Sequence, residues 1–174
     1  MSQSAIALRL AVPRDAHTIA VMSREHIEQG LPWKYDPARI AGAIRRRDTT
    51  VLTAVDRTAL AGFALMEFGD ERAHLVLLAV RPTHRRRGIG RKLFEWLLES
   101  ALTAGMESVH LELRAGNEAA RRFYRAQGFY ETVLVPGYYR SGEGRKEGAL
   151  RMLRVLRVPG PLPAAWTPPG IKGR

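Results

Sequence analysis

Cysteine is absent from all 174 residues, which excludes a disulfide scaffold, a zinc–thiolate site and a cysteine nucleophile. No stretch approaches the roughly 18 uninterrupted apolar residues of a membrane span. The N-terminal "MSQSAIALRLAVPRDA" lacks a basic lead segment, and Arg9 interrupts its short apolar run, so it does not read as a signal peptide. These absences lead us to expect a soluble, cytoplasmic protein with no membrane partner. The five histidines show no metal-ligand spacing and no HExxH occurs, so no metal is expected. Acidic side chains are also short: 17 Asp and Glu face 28 Lys and Arg, a formal charge of +11 and a pI near 10.9. Such a surplus attracts polyanions, whether nucleic acid, anionic lipid or a phosphorylated cofactor, and charge alone does not choose among them. Nothing resembles a recognition helix, so nucleic-acid binding is the least favoured function.

What is present fits one α/β domain over residues 5–157, followed by a proline-rich tail over 158–174 that holds five of the ten prolines. "ALRLAV" reads as a first strand and "RDAHTIAVMSREHIEQG" as a helix with Ile19, Met22 and Ile27 inward and Gly30 past its end. "DPARIAGAIRRR" reads as a second helix, capped by Asp36 with Pro37 at its first position. "TVLTAV" and "ALAGFALMEF" form a hairpin pattern across "DRT". "AHLVLLAV" (73–80) is nearly all apolar and predicts a central strand buried on both faces. Residues 88–104 predict a helix with Ile89, Leu93, Leu97 and Ala101 on one stripe. "SVHLELR" alternates strictly, placing His110, Glu112 and Arg114 on its polar face. "NEAARRFYRAQG" predicts a helix from an Asn117 cap to a Gly128 stop. "FYETVLV" and "ALRMLRVLRV" predict two last strands separated by the turn-rich 136–148. The strand–helix–strand unit at 73–114 should be parallel.

Between the central strand and the long helix stands "RPTHRRRGIGRK". A strand, a glycine-rich turn and a helix start expose backbone N–H groups that favour an anion, and the helix dipole adds to this. Walker A is excluded, since no Lys-Ser/Thr follows the second glycine. The dinucleotide fingerprint is excluded too, because Leu93 stands where a third glycine or alanine is required. A solvated basic turn is the alternative.

Arg85-x-x-Gly88-x-Gly90, led by "LAVRP", together with "LELRAGNEAARRFYRAQGFYE", resembles the acetyl-CoA motif of the GNAT superfamily of N-acetyltransferases. Within it the ribosomal-protein-alanine N-acetyltransferases share the "LAV" strand, the strand end before Asn117 and a paired tyrosine ahead of the last strand. The resemblance covers about residues 5–157 and is strongest over 78–130. It implies a mixed central sheet of about six to seven strands flanked by about four helices. It also implies transfer of an acetyl group from acetyl-CoA to a primary amine in a ternary complex, preferably a protein or peptide N-terminus. A small-molecule amine acetyltransferase and a non-catalytic acyl-CoA-binding regulator are the alternatives. The oligomeric expectation is a monomer or homodimer.

Residue by residue, the resemblance implies that the backbone of Leu78, Ala79 and Val80 pairs with the pantetheine arm. Arg85 starts the motif, and Arg86, Arg87, Gly88, Ile89, Gly90 and Arg91 hold the pyrophosphate. Asn117 would contact the cofactor, and Tyr124 would donate a proton to the departing thiolate. Seven residues apart on one helix, these two share a face. Glu112 would act as general base through water; a surface glutamate, or one paired with Arg114, is the bland alternative. Trp33, Tyr138 and Tyr139 would frame the acceptor. "GLPWKYDPARIAGAIRRR" departs from the relatives' acceptor loop beyond its Pro-Trp pair. His110 shares a face with Glu112.

Overall fold

Seven strands form one mixed sheet in the computed structural model, which describes residues 5–157. The chain runs β1 (Ile6–Leu10), α1 (Ala16–His26), α2 (Pro37–Arg45), β2 (Thr49–Asp56), β3 (Ala59–Phe68), β4 (Arg72–Val80), α3 (Ile89–Thr103), β5 (Ser108–Arg114), α4 (Glu118–Ala126), β6 (Tyr130–Arg140) and β7 (Lys146–Val155). The strand order is β1-β2-β3-β4-β5-β7-β6. All neighbours are antiparallel except β4 and β5, which are parallel across α3 as expected.

Local chemistry accounts for the element ends. The Asp36 carboxylate accepts from the Arg39 N–H at 2.8 Å and starts α2, with Pro37 at the first helical position. The Asn117 side chain accepts from the Ala120 N–H at 3.1 Å and starts α4, and Gly128 at φ +84° ends it. The β2–β3 hairpin turns through Arg57 at φ 56°.

Alternation along the strands feeds two cores, one on each face of the sheet. Leu93, Phe94 and Leu97 of α3 pack with Leu52, Met66, Leu75 and Leu111. Ile19, Met22 and Ile40 of α1 and α2 pack with Val51, Phe63 and Leu65. Each such side chain contributes about 1.5–3 kcal/mol when fully buried. β4 lies between both cores, as its apolar sequence predicts. A bulge at Val76, where the register passes from Leu65↔Leu77 to Met66↔Leu75, swaps its faces midway. Ala73 and Leu75 therefore join the α3 core, while Leu77 and Ala79 join the other.

The last hairpin corrects the sequence reading. Strands β6 and β7 continue through most of the turn-rich segment 136–148, leaving only a short tip between Arg140 and Lys146. Pro136 and Gly137 are accommodated in a bulge between Val135↔Ala149 and Tyr139↔Glu147. An edge-strand bulge tolerates a missing N–H and the φ of +62° at Gly137. The proline-rich tail lies outside the described residues. Among these, no helix is long and apolar enough to cross a membrane.

The feature that positions the site is the brevity of the β4–β5 ladder. It holds three pairs, Arg72↔Ser108, Ala73↔Val109 and His74↔His110. β4 then continues against β3 as far as Val80, and β5 against β7 as far as Arg114. The two strands part at the histidine pair, and a cleft opens between them.

Candidate active site

The cleft has a volume of about 880 Å³ and is lined by β4 from His74 to Leu78, by β5 from Leu111 to Arg114, and by Asn117 and Tyr124 of the α4 region. Tyr138, Tyr139 and the α1–α2 connection close its other side. Of the sequence-predicted residues, Leu78, Glu112, Asn117, Tyr124, Tyr138 and Tyr139 meet here. Ala79, Val80 and the glycine-rich turn lie further along β4, and Trp33 stands outside the lining.

Glu112 is half-buried at the cleft wall, and both its oxygens are engaged. Oε2 accepts from the Tyr138 hydroxyl at 2.8 Å and Oε1 from Arg151 Nε at 2.8 Å. Burial pushes its pKa up, but these donors outweigh it and hold the carboxyl below its usual range. Arg114 pairs instead with Glu147, at 2.6 Å, and donates to the Gln29 carbonyl at 2.7 Å. The Glu112–Arg114 pairing considered from sequence is therefore not the one formed. Arg151 stands directly opposite Glu112 in the β5–β7 ladder, which a sequence period does not reveal.

Tyr138 and Tyr139 both reach the cleft although neighbours on a strand normally point apart. The bulge at Pro136–Gly137 turns the chain between them and the last regular pair. Their rings meet edge-on at 5.0 Å. The bond to Glu112, with burial second, raises the Tyr138 pKa. Burial first, and the Glu112 charge second, push Tyr139 up to about 12.

Asn117 caps α4 and lines the cleft. Tyr124, two turns along, is buried, and burial alone drives its pKa well above the ordinary phenol value. Phe123 and Phe129 hold its ring edge-on at 5.1 and 5.6 Å.

At the fork, His74 and His110 stack with centroids 4.4 Å apart and planes 10° apart. Burial first, then mutual repulsion at His74 and Arg72 at His110, lowers both pKa values despite the nearby Glu112. The folded protein thus binds protons on both rings less readily than an unfolded chain does. The stability this gives is fully present above the unfolded value of 6.5 and is lost as pH falls through the lower folded values. Urea unfolding should show a marked fall in midpoint between about pH 7.5 and 5. The His74→Phe, His110→Phe double variant, which keeps two stacked rings, should show a smaller fall; an unchanged pH dependence would contradict this.

The glycine-rich turn crowns α3. Gly88 is its N-cap at φ +73°, and Arg86, two residues earlier, is at φ 62°. A Cβ on Gly88 would meet nothing within 4 Å, whereas one on Gly90 would touch Phe123 at 3.5 Å. Gly88 therefore answers to conformation and open space, Gly90 to helix packing. Ile89 is buried in the core. Arg85 is exposed and donates to the Val80 carbonyl at 3.0 Å. Arg87 lies 3.6 Å from Asp56, which also binds His84, and Arg91 pairs with Glu95 at 3.4 Å. Among the described residues no group of three or more His, Cys, Asp or Glu side chains is placed to hold a metal ion.

A parallel pair splayed beyond three rungs, a glycine-capped helix beside it and a tyrosine in the fork invite comparison with known proteins. The model of the acetyltransferase (GNAT) family matches residues 16–129. The chain belongs to the GNAT acetyltransferase family. A ribosomal protein bS18-alanine N-acetyltransferase from Salmonella typhimurium is 36% identical over 104 residues, 60% of this chain and 69% of that one. The crystal structure of the Escherichia coli ribosomal-protein-S18-alanine N-acetyltransferase superposes with a TM-score of 0.74 at 26% identity, over 90% of this chain and 97% of that one. Arabidopsis thaliana NAA60, solved with acetyl-CoA, shares the fold at a TM-score of 0.77 and 19% identity, over 87% and 99% of the two chains.

In this acetyltransferase the loop between α1 and α2 is organised by a residue that sequence reasoning missed. Glu28 is 5% exposed and accepts from the Ser23 hydroxyl at 3.0 Å and from the Lys34 and Tyr35 N–H groups at 2.7 and 3.2 Å. It turns Tyr35 into the cleft. Trp33 is left exposed, its ring N–H donating to the Tyr35 carbonyl at 3.1 Å. Glu28 carries no sequence signal, because its partners are loop amides and it sits where a helix end normally meets water. Removing a buried charged acceptor from several donors costs about 2–3 kcal/mol. Glu28→Ala should lose that much in urea unfolding, and a loss below about 1 kcal/mol would show the loop is held otherwise.

Proposed function

We propose that this GNAT acetyltransferase moves an acetyl group from acetyl-CoA to the N-terminal amine of a protein or peptide. The observation that carries the reading is the fork of β4 and β5, where Glu112, Asn117, Tyr124 and the Tyr138–Tyr139 pair line one cleft. The fit to the donor rests on two features. β4 beyond His74 has an edge that β5 does not pair, so the backbone of Leu78, Ala79 and Val80 can bind an extended arm like an added strand. The space at Gly88 is open at a helix start, beside Arg86, Arg87 and Arg91, which suits a pyrophosphate. Acetyl-CoA, when bound, supplies an acetyl group activated as a thioester.

The protein's own groups then have distinct tasks. Strand N–H groups at the fork can polarise a carbonyl. Tyr124 holds its proton at Oη and presents it to a developing thiolate. Glu112, held ionised, attracts an ammonium and orders the water that carries its proton away. Tyr138, Tyr139 and the aromatic edge of the α1–α2 loop, with Trp33 at its rim, confine the acceptor chain. The relatives' names support an alanine N-terminus as the first acceptor to try.

The test is thiol release from acetyl-CoA with a library of N-terminal peptides and a matched panel of small amines. Mass spectrometry then locates the acetyl group. Modification at the peptide α-amine supports the reading. Turnover restricted to small amines would replace it, and acetyl-CoA binding without any turnover would point to a regulator.

A further inference from the structure

A second cavity of about 800 Å³ adjoins the cleft and shares Leu31, Pro32, Arg114 and Glu147 with it. Its charge is unbalanced. Arg24, Arg114, Arg145 and Lys146 face only Glu143 and Glu147, a surplus of two positive charges. The cleft itself balances, with Lys34, Arg114 and Arg140 against Glu28, Glu112 and Glu147.

Of the cations of the second cavity, only Arg114 is fully engaged, with Glu147 and the Gln29 carbonyl. Glu147 is committed to Arg114 at 2.6 Å. Glu143 approaches Arg145 only at 3.6 Å, with both side chains more than 80% exposed. Arg24 donates to a neutral carbonyl, that of Leu31, and has no carboxylate within ion-pair distance among the described residues. Lys146 has no carboxylate within ion-pair distance among the described residues.

Resting on the peptide-acceptor reading above, we propose that this cavity receives acidic side chains of the acceptor, beginning at about its third residue. Glu112 and Arg114 lie on the same face of β5, about 7 Å apart along the strand. An extended peptide advances about 3.3 Å per residue, so an amine at Glu112 places Arg114 roughly two residues downstream. The hairpin tip with Arg145 and Lys146 follows beyond it. A chain continuing with lysine or arginine meets like charge there, whereas aspartate or glutamate finds unspent donors. Arg24 and Arg145 offer planar forks that match a carboxylate.

The experiment uses three peptide sets sharing their first two residues, with acidic, neutral or basic residues at positions three to five. Two exposed charge pairs are worth about a ten-fold change in affinity. The acidic set should therefore show a KM about ten-fold below the neutral set, with the basic set higher still and kcat similar throughout. Raising the salt to about 0.5 M should narrow the spread, because these charges are exposed. Arg145→Glu with Lys146→Glu, both at the exposed tip and outside the catalytic groups, should reverse the order and leave kcat on the neutral peptide unchanged. Equal KM values across the sets at low salt, or an order unmoved by the double variant, overturn the charge preference while leaving peptide acetylation intact. No turnover on any peptide, alongside turnover on a small amine, overturns both.

Discussion

Tyr124→Phe should lower kcat by about 100-fold or more and leave acetyl-CoA affinity within two-fold. The substitution removes one oxygen and keeps the ring that Phe123 and Phe129 grip edge-on, so packing and donor binding should survive. Of the α4 residues that line the cleft, Ala120 and Tyr124, only Tyr124 carries a side-chain proton to give. Its pKa is raised by burial and by nothing else, so it stays protonated across any practical assay range and cannot serve as a base. A phenol already starts about 1.5 units above a thiol in reference pKa, and burial widens that gap. The benefit must then come from a donor fixed in place before charge develops on sulfur, rather than from acid strength. Stopped-flow or steady-state thiol release gives kcat, and calorimetry with acetyl-CoA gives the affinity. A kcat within about three-fold of the parent would remove Tyr124 from the chemistry. Because burial raises the Tyr124 pKa above the ordinary phenol value, the alkaline side of the pH–rate profile should be unchanged in the variant.

Acetyl-CoA binding should fall by more than about 100-fold in Gly88→Glu, equivalent to roughly 3 kcal/mol. Arg86 and Gly88, both left-handed and separated by one residue, bend the backbone at the start of α3, where the first N–H groups of a helix have no partner within it. A side chain at Gly88 meets open space, so the folded protein loses only the about 1–2 kcal/mol of an unfavourable φ. The damage falls on the ligand, which would face a carboxylate where it needs unhindered N–H groups. Gly88→Ala separates the parts, carrying the strain without the charge, and should be much milder. Arg85→Ala should cost only a few-fold, because that guanidinium is exposed and its recorded partner is the Val80 carbonyl. Calorimetric binding by Gly88→Glu within about three-fold of the parent would move the pyrophosphate away from this turn.

Much of this architecture is legible in the amino-acid order because its elements are locally consistent. The α3 stripe of Ile89, Leu93, Leu97 and Ala101 is buried as its spacing predicts. Asp36 and Asn117 cap the helices they precede. The last hairpin departs from the sequence pattern because Pro136, Gly137 and the glycines of its tip carry loop propensity, while the cross-strand ladder with β7 overrides it. The same limit applies within the site. Glu112, Asn117 and Tyr124 could be singled out from a family pattern. The Arg151 partner of Glu112, the His74 stack on His110 and the Glu28 anchor of the loop depend on register and tertiary closure. They have no linear signature.

The three-rung ladder between β4 and β5 also has a mechanical meaning. β1–β4 make one plate and β5–β7–β6 another, and the seam between them is stitched only at the end where His74 meets His110. A donor lying along the open part of that seam would splint the plates together. Its binding energy would count toward holding the sheet in one piece, as any ligand specific for the folded form does. Amide exchange would then slow along Leu75–Val80 and Leu111–Arg114 on both sides of the seam at once. An enzyme built this way is stiffest when loaded and loosest after its product has left.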